Sequence, residues 1–239
     1  MKRSNCLPLL SLLLGEGCLY LRRILYRNAV DSAGLLETGT ALEWGVYALT
    51  VLSLLVFAAA AWKQDEEPFT VPGIAALGQL AGAVGIGWTV LRYPAQMSGV
   101  LGVLWKAFGI FAAVCLLYAA FCTLLGKKPY FLVLLMPCLF WLVHMVDNYR
   151  TWSGQPQLQT YLFDLMGVMA ITLFSYYTAA AAVGLPRPRM RKFTALSAGF
   201  LCVAAAMPGT PKTQLLYLLC ALWALASLYS PEPTLEKGS

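Results

Sequence analysis

The sequence predicts an all-α integral membrane bundle of about eight transmembrane helices. Its 239 residues are 59% hydrophobic and only 12% charged, and their mean hydropathy is +0.68. Soluble proteins carry about a quarter charged residues, so this chain has too little polar surface to solvate a globule. Its apolar residues also fall into segments close to the roughly 20 residues that a membrane-spanning helix needs.

Eight apolar segments can be delimited, because prolines, glycines and charged residues interrupt the chain between them. The third segment ends before Pro94, and the fifth begins after Pro129, at a helix start where a missing N–H is tolerated. The first segment is the most polar and the seventh is short. The segments cover residues 6–26, 41–62, 74–93, 100–125, 130–149, 158–183, 193–207 and 212–230.

These segments predict one polytopic membrane domain over residues 1–230, followed by a short cytoplasmic tail over 231–239. The N-terminus resembles a signal peptide, since Lys2 and Arg3 precede an apolar run. No cleavage site of small residues follows that run, so we expect a retained first helix.

The distribution of basic residues predicts the orientation, with both termini in the cytoplasm. Eight crossings place ten lysines and arginines on the cytoplasmic side, which are Lys2, Arg3, Lys63, Lys127, Lys128, Arg187, Arg189, Arg191, Lys192 and Lys237. They place six outside, which are Arg22, Arg23, Arg27, Arg92, Arg150 and Lys212. Cytoplasmic loops of membrane proteins carry this excess of positive charge.

Ionisable residues within the helices concentrate in the predicted outer half of the bundle. Such residues are costly in lipid and are functional candidates by default. His144, Asp147 and Asn148 share a helical face by their spacing, and Asp164 lies at a similar depth on the next helix. The candidate solute or proton site comprises His144, Asp147, Arg150, Asp164 and Lys106.

Two interpretations of this polarity remain open. One is an outward-facing vestibule for a polar solute, or a proton-titrating pair of His144 and Asp164. The other is a set of ion pairs, here called clasps, that hold neighbouring helices together. The clasp pairs would be Lys106 with Asp164, Arg150 with Asp147, and Arg23 or Arg92 with Glu43.

The third segment carries a stripe of small residues, which comprises Gly78, Gly82 and Gly85. Small residues at this spacing allow close approach of two helix backbones. Packing within the chain, a homodimer contact and a ligand that touches the helix backbone all fit the pattern.

Several chemistries are disfavoured by what the sequence lacks. One histidine and scattered acidic residues do not supply the clustered ligands that a metal site needs. No phosphate-binding glycine motif and no G-x-S-x-G motif is present. We therefore expect no catalytic residues, no metal and no cofactor. The net charge of +6 is explained by basic loops that face anionic lipid, so no nucleic-acid partner is expected.

One stretch resembles a known family. Arg150, Trp152, Ser153, Pro156 and Leu158, followed by Tyr161, match an R-x-W-S-x-x-P-x-L-x-x-Y arrangement. This arrangement is similar to that of uncharacterised multi-pass membrane proteins of Gram-positive anaerobic bacteria. The resemblance implies a bacterial cytoplasmic membrane and transfers no activity.

The sequence thus favours a transporter or sensor of a small polar solute, with an outward-facing polar vestibule and the lipid bilayer as its surroundings. Two alternatives stay open. One is a non-catalytic assembly partner or scaffold that uses the Gly78 and Gly82 face and the basic loop at 187–192. The other is an intramembrane lipid-modifying enzyme, for which the metal and nucleophile motifs are missing.

Overall fold

The computed structural model describes residues 6–28, 39–63, 70–94, 99–127, 129–152, 161–185, 187–207 and 211–230, and these ranges are helical with short connections. The fold class predicted from the sequence is confirmed as an all-α membrane bundle. The helices are α1 (Cys6–Asn28), α2 (Ala41–Trp62), α3 (Pro72–Arg92), α4 (Val100–Leu124), α5 (Phe131–Trp152), α6 (Leu162–Ala182), α7 (Pro188–Ala205) and α8 (Pro211–Ala226), and a 3-10 turn at Ser227–Tyr229 extends α8.

The predicted segments agree with these helices to within a few residues, except at the start of α7. That helix begins five residues earlier than predicted, because Pro188 occupies its first position, where a helix needs no N–H. Arg189, Arg191 and Lys192 therefore belong to the first turns of α7, and the prediction of a basic loop over this stretch is corrected.

Glycines end two of the helices in the same way. Gly126 follows α4 with φ +67°, and Gly184 follows α6 with φ +85°. In each case the N–H beyond the glycine bonds back to the last helical turn: Lys127 to the Cys122 carbonyl and Leu185 to the Ala180 carbonyl. This Schellman arrangement needs a left-handed residue, which glycine supplies without steric cost.

Helix contacts define alternating directions through the bundle. Trp105 and Gly109 of α4 face His144 and Phe140 of α5, respectively, so these two helices are antiparallel. By contrast, α1 and α7 are parallel, since Ser11 bonds to Leu196 and Arg22 bonds further along to Ala204. Helices α1, α3, α5 and α7 finish at one end of the bundle, and α2, α4, α6 and α8 begin there. We call this end the polar end.

The last six helices form a closed ring. Each of α3 to α8 packs against the next, and α8 returns to α3. Helices α1 and α2 lie outside the ring against α7, where the Phe57 and Phe200 rings meet at 5.9 Å. Because α1, α2, α6 and α8 surround it, α7 is buried along most of its length.

Within the described part of the chain, five helices, α2 to α6, are long and apolar enough to cross a membrane. The other three are α1, which contains four charged residues; α7, which starts with basic residues; and α8, which is short at 16 residues. Because α7 contacts neighbouring helices along most of its surface, less of it has to face lipid. The protein is a multi-pass membrane protein.

The small-residue stripe of α3 faces α8 within the same chain. A Cβ built on Gly82 would lie 3.0 Å from the Trp223 ring, and one built on Gly85 would lie 3.0 Å from the Leu219 Cβ. At Gly78 it would overlap the Ala226 Cβ. The stripe therefore lets α8 close the ring against α3.

Replacing Gly78 by alanine is expected to lower the free energy of unfolding by about 1–3 kcal/mol, the usual cost of overpacking. Gly45→Ala is the matched control, because nothing lies within 4 Å of a Cβ at that exposed position of α2. Thermal unfolding in detergent measures both variants. Equal melting temperatures for the two would contradict this packing of α3 against α8.

Candidate functional site

A buried arginine lies near the polar end, six residues before the end of α1. Arg22 is only 3% exposed, because it falls on the helix face that also carries Ser11, Gly15 and Cys18. Its Nη1 donates to the carbonyl of Ala204 in the last turn of α7. That carbonyl has no partner within its own helix, so Arg22 caps α7.

Two aromatic rings border the guanidinium. Its Cζ lies 4.3 Å from the centre of the Phe163 ring and 5.9 Å from that of Tyr26. A cation over an aromatic face is attracted by the ring's electron density, and more strongly when water is excluded. The rings thus hold the charged group at the contact between α1, α6 and α7.

The next residue of α6, Asp164, brings a carboxylate to the same place. Arg22 is the positive group that acts on it, and the Tyr217 side chain of α8 faces it. The Tyr217 side chain is fully buried, and its hydroxyl faces the Asp164 carboxylate. We refer to Arg22, Asp164 and Tyr217, contributed by three helices, as the Arg22 centre.

A second polar group, the His144 cluster, lies between α4 and α5 and comprises Trp105, Phe140, Trp141, His144 and Asn148. The His144 ring is fully buried and stacks on Phe140, with the ring centres 5.6 Å apart. Trp105 Nε1 donates to His144 Nδ1 at 2.9 Å, and the Asn148 amide meets His144 Nε2 at 3.0 Å.

These two bonds determine the protonation of the imidazole. The Trp105 indole can only donate, so His144 Nδ1 must be an unprotonated acceptor. The proton of the neutral ring is then on Nε2, and the Asn148 amide must turn its oxygen toward it; amide orientation is an assignment that follows from such a network. Protonating His144 would break the bond from Trp105. This disfavours a proton-carrying role for the residue.

The structure gives the predicted site residues different surroundings. His144 is bonded to Trp105 and Asn148 and is not among the groups that act on Asp164. Asp147 is fully buried, whereas Lys106 and Arg150 are exposed. Asp164 faces Arg22 from α1 where a clasp with Lys106 was expected.

Glu43 takes local partners. Its carboxylate accepts from the Gly39 N–H at 2.7 Å and from the Tyr47 hydroxyl at 2.9 Å. Both arginines predicted to clasp it, Arg23 and Arg92, are exposed. Glu43 therefore stabilises the start of its own helix, where a negative charge is favourable.

Sequence reasoning missed Arg22 and Tyr217 as site residues. A signal for Arg22 exists in the spacing of small and polar residues along the first helix. Ser11, Gly15, Cys18 and Arg22 recur at three or four residues, so one face carries them all and Arg23 falls outside it. Tyr217 has no comparable signal, since tyrosines occur in most of the helices.

The described residues contain no group of three or more His, Cys, Asp or Glu side chains that could hold a metal ion. No family model, curated protein or solved structure matches the chain.

Proposed function

We propose that this multi-pass membrane protein binds a small polar solute at the Arg22 centre, as a transporter or a sensor. The observation that carries the proposal is the buried Arg22 guanidinium, which lies close to the Asp164 carboxylate and the buried Tyr217 hydroxyl of two other helices. Ionisable residues inside a membrane bundle are costly, and they often mark the path of a solute or an ion. A polar solute could be held there by the N–H donors of the arginine.

A purely structural clasp accounts for only part of this centre. Arg22 does cap α7 through the Ala204 carbonyl, and its charge balances that of Asp164. The Ala204 carbonyl engages one nitrogen of the guanidinium, and the other N–H groups can hold the oxygen atoms of a solute. The same residues can serve both purposes if the solute joins the pair.

The two alternatives have less support. The small-residue face that an assembly partner would use is covered by α8. A lipid-modifying enzyme would need a nucleophile or a metal, and the described part of the chain offers no cluster of metal ligands. We further propose a bacterial cytoplasmic membrane with the polar end outward, from the charge distribution and the sequence resemblance.

The Tyr217→Phe variant tests the proposal. It removes the hydroxyl that faces Asp164 and keeps the ring, so the free energy of unfolding without solute should fall by no more than about 1.5 kcal/mol, the usual contribution of one hydrogen bond. The probes are L-lactate, L-alanine, betaine, glycerol and inorganic phosphate, each added to purified protein in detergent. At least one should raise the melting temperature of the unmodified protein, by ligand linkage, and raise that of Tyr217→Phe much less.

Tyr176→Phe is the matched control, because Tyr176 is an exposed tyrosine of α6, and it should respond to the probes as the unmodified protein does. If none of the five probes stabilises the unmodified protein, or if Tyr217→Phe responds equally, the proposed site is contradicted.

A further inference from the structure

The hydrogen bonds of the His144 cluster leave out the indole nitrogen of Trp141. This residue is fully buried, and its ring packs edge-on against those of Phe140 and His144, with the ring centres 5.2 and 5.6 Å apart. Its Nε1–H has no hydrogen-bond partner among the described residues. An indole nitrogen can only donate, and a buried donor without an acceptor costs free energy. An oxygen acceptor at this place would remove that cost.

The Trp141 side chain lies inside the ring that α3 to α8 form. On α5, Phe140 packs against α4, and the Cys138 thiol lies 3.9 Å from a backbone carbonyl of α6. Each residue turns a helix by about 100°, so Trp141 points between these two neighbouring helices. Residues on the other face of α5, such as Leu142 and Val146, are exposed. The indole nitrogen therefore belongs to the interior of the ring.

Aromatic side chains of three helices occupy the middle of this interior. Trp141 lies at the centre of α5, and Phe174 of α6 and Trp223 of α8 lie at a similar distance from the polar end. The Phe174 and Trp223 rings meet edge-on, with their centres 5.1 Å apart. Trp223 also packs against Gly82 of α3, so it reaches across the inside of the ring. A ligand at this level would meet aromatic rings.

The Asn148 amide adds N–H donors nearer the polar end. The neutral His144 ring carries its proton on Nε2, so the amide oxygen must face that nitrogen, at 3.0 Å. The amide nitrogen then takes the opposite position, for which the structure shows no hydrogen bond. Asn148 is only 1% exposed, and it lies on the same face of α5 as Trp141, about two turns away. The interior face of α5 thus carries donors at two levels.

These donors select an uncharged ligand that offers an oxygen acceptor. N–H donors alone cannot hold a cation. An anion would be repelled by Asp147, which is buried in the same part of α5, and its charge would be costly to bury. A carbonyl or hydroxyl oxygen accepts from an N–H without bringing a charge into the bundle.

We infer that the interior of the ring binds an uncharged ligand whose oxygen accepts from the Trp141 Nε1–H. The ligand is a small organic molecule with a carbonyl or hydroxyl group, or a water molecule, since buried waters bond to polar groups that the protein leaves unpaired. This site uses residues other than those of the Arg22 centre, so it does not depend on the proposed function.

Acetamide and acetate test the inference, because they share one shape and differ in charge. Each is added to the purified full-length protein in detergent, and the melting temperature is measured. Acetamide should raise it by ligand linkage, and acetate should not. Trp141→Phe keeps an aromatic ring and removes the N–H, so its affinity for acetamide should be about tenfold lower. Stabilisation by acetate that Trp141→Phe abolishes would overturn the inference.

Trp88→Phe is the matched control, because Trp88 is an exposed tryptophan of α3, and it should respond as the unmodified protein does. If acetamide has no effect, or if Trp141→Phe keeps the full effect, ultraviolet resonance Raman spectroscopy decides. The difference between the spectra of the unmodified protein and Trp141→Phe isolates the Trp141 indole, whose bands depend on hydrogen bonding by Nε1–H. A bonded N–H then identifies a water molecule as the ligand, and an unbonded one overturns the inference.

Discussion

Replacing Arg22 by glutamine is expected to destabilise the protein by about 1.5–3 kcal/mol, the usual worth of a hydrogen bond to a charged group. The variant leaves Asp164 without its positive neighbour and the Ala204 carbonyl without its donor. Reversible unfolding of the purified protein in detergent, followed by circular dichroism, measures the loss.

Arg23→Gln is the matched control, because it removes the same kind of charge from the adjacent, exposed position. Exposed substitutions usually change stability by less than about 0.5 kcal/mol. A double variant, Arg22→Gln with Asp164→Asn, should recover part of the loss, because the carboxylate that Arg22 attracts is then replaced by a neutral amide. Equal effects of Arg22→Gln and Arg23→Gln would contradict the buried charge centre.

Replacing Trp105 by alanine is expected to cost about 3–5 kcal/mol, as large-to-small changes of buried aromatic residues do. Trp105 is fully buried, contacts the Phe140 ring, and donates the hydrogen bond that holds the His144 ring in its neutral form. Its removal leaves a cavity between α4 and α5 and an unpaired ring nitrogen.

Trp88→Ala is the control for this prediction, since Trp88 is 53% exposed on α3 and should cost far less. Trp105→Phe separates the two contributions, because it retains much of the volume and removes the donor; we expect about 1–3 kcal/mol for the unpaired acceptor. A Trp105→Ala variant as stable as Trp88→Ala would show that the His144 cluster does not hold α4 to α5.

The positions of the helices could be predicted because lipid imposes both their length and their apolar composition. The sequence also predicts that ionisable residues concentrate at one end of the bundle. If successive helices cross the membrane in opposite directions, the position of a residue within its helix tells which end it lies near. At α7 the sequence predicts the helix start five residues too late, because consecutive basic residues are typical of a loop. Pro188 starts the helix there, and the basic residues extend from its first turns.

The partners of the polar side chains could be predicted only where they are local. Glu43 and Tyr47 are four residues apart on one helix, so their hydrogen bond follows from helix geometry. Trp105 and His144 are 39 residues apart, and their meeting depends on how α4 and α5 are rotated about their axes. Hydropathy does not specify that rotation.

Arg22 and Arg23 illustrate the same limit. Both lie near the end of α1, yet one is buried against α6 and α7 and the other is exposed. About 100° of helical rotation separates neighbouring residues, so the identity of the buried arginine depends on which face of α1 meets α7. The spacing of small residues along α1 identifies that face, and it is the only local sign of the centre.

We propose that the chain alternates across the membrane and that the polar end, where the Arg22 centre lies, faces outward. The most direct test labels single cysteines at Met97→Cys and Arg189→Cys in intact cells with a membrane-impermeant thiol reagent. Three helices, α4, α5 and α6, separate the two positions. We expect labelling of Met97→Cys from outside and of Arg189→Cys only after the membrane is opened. Labelling of both positions from the same side would contradict the alternating crossings, and the reverse pattern would contradict the orientation.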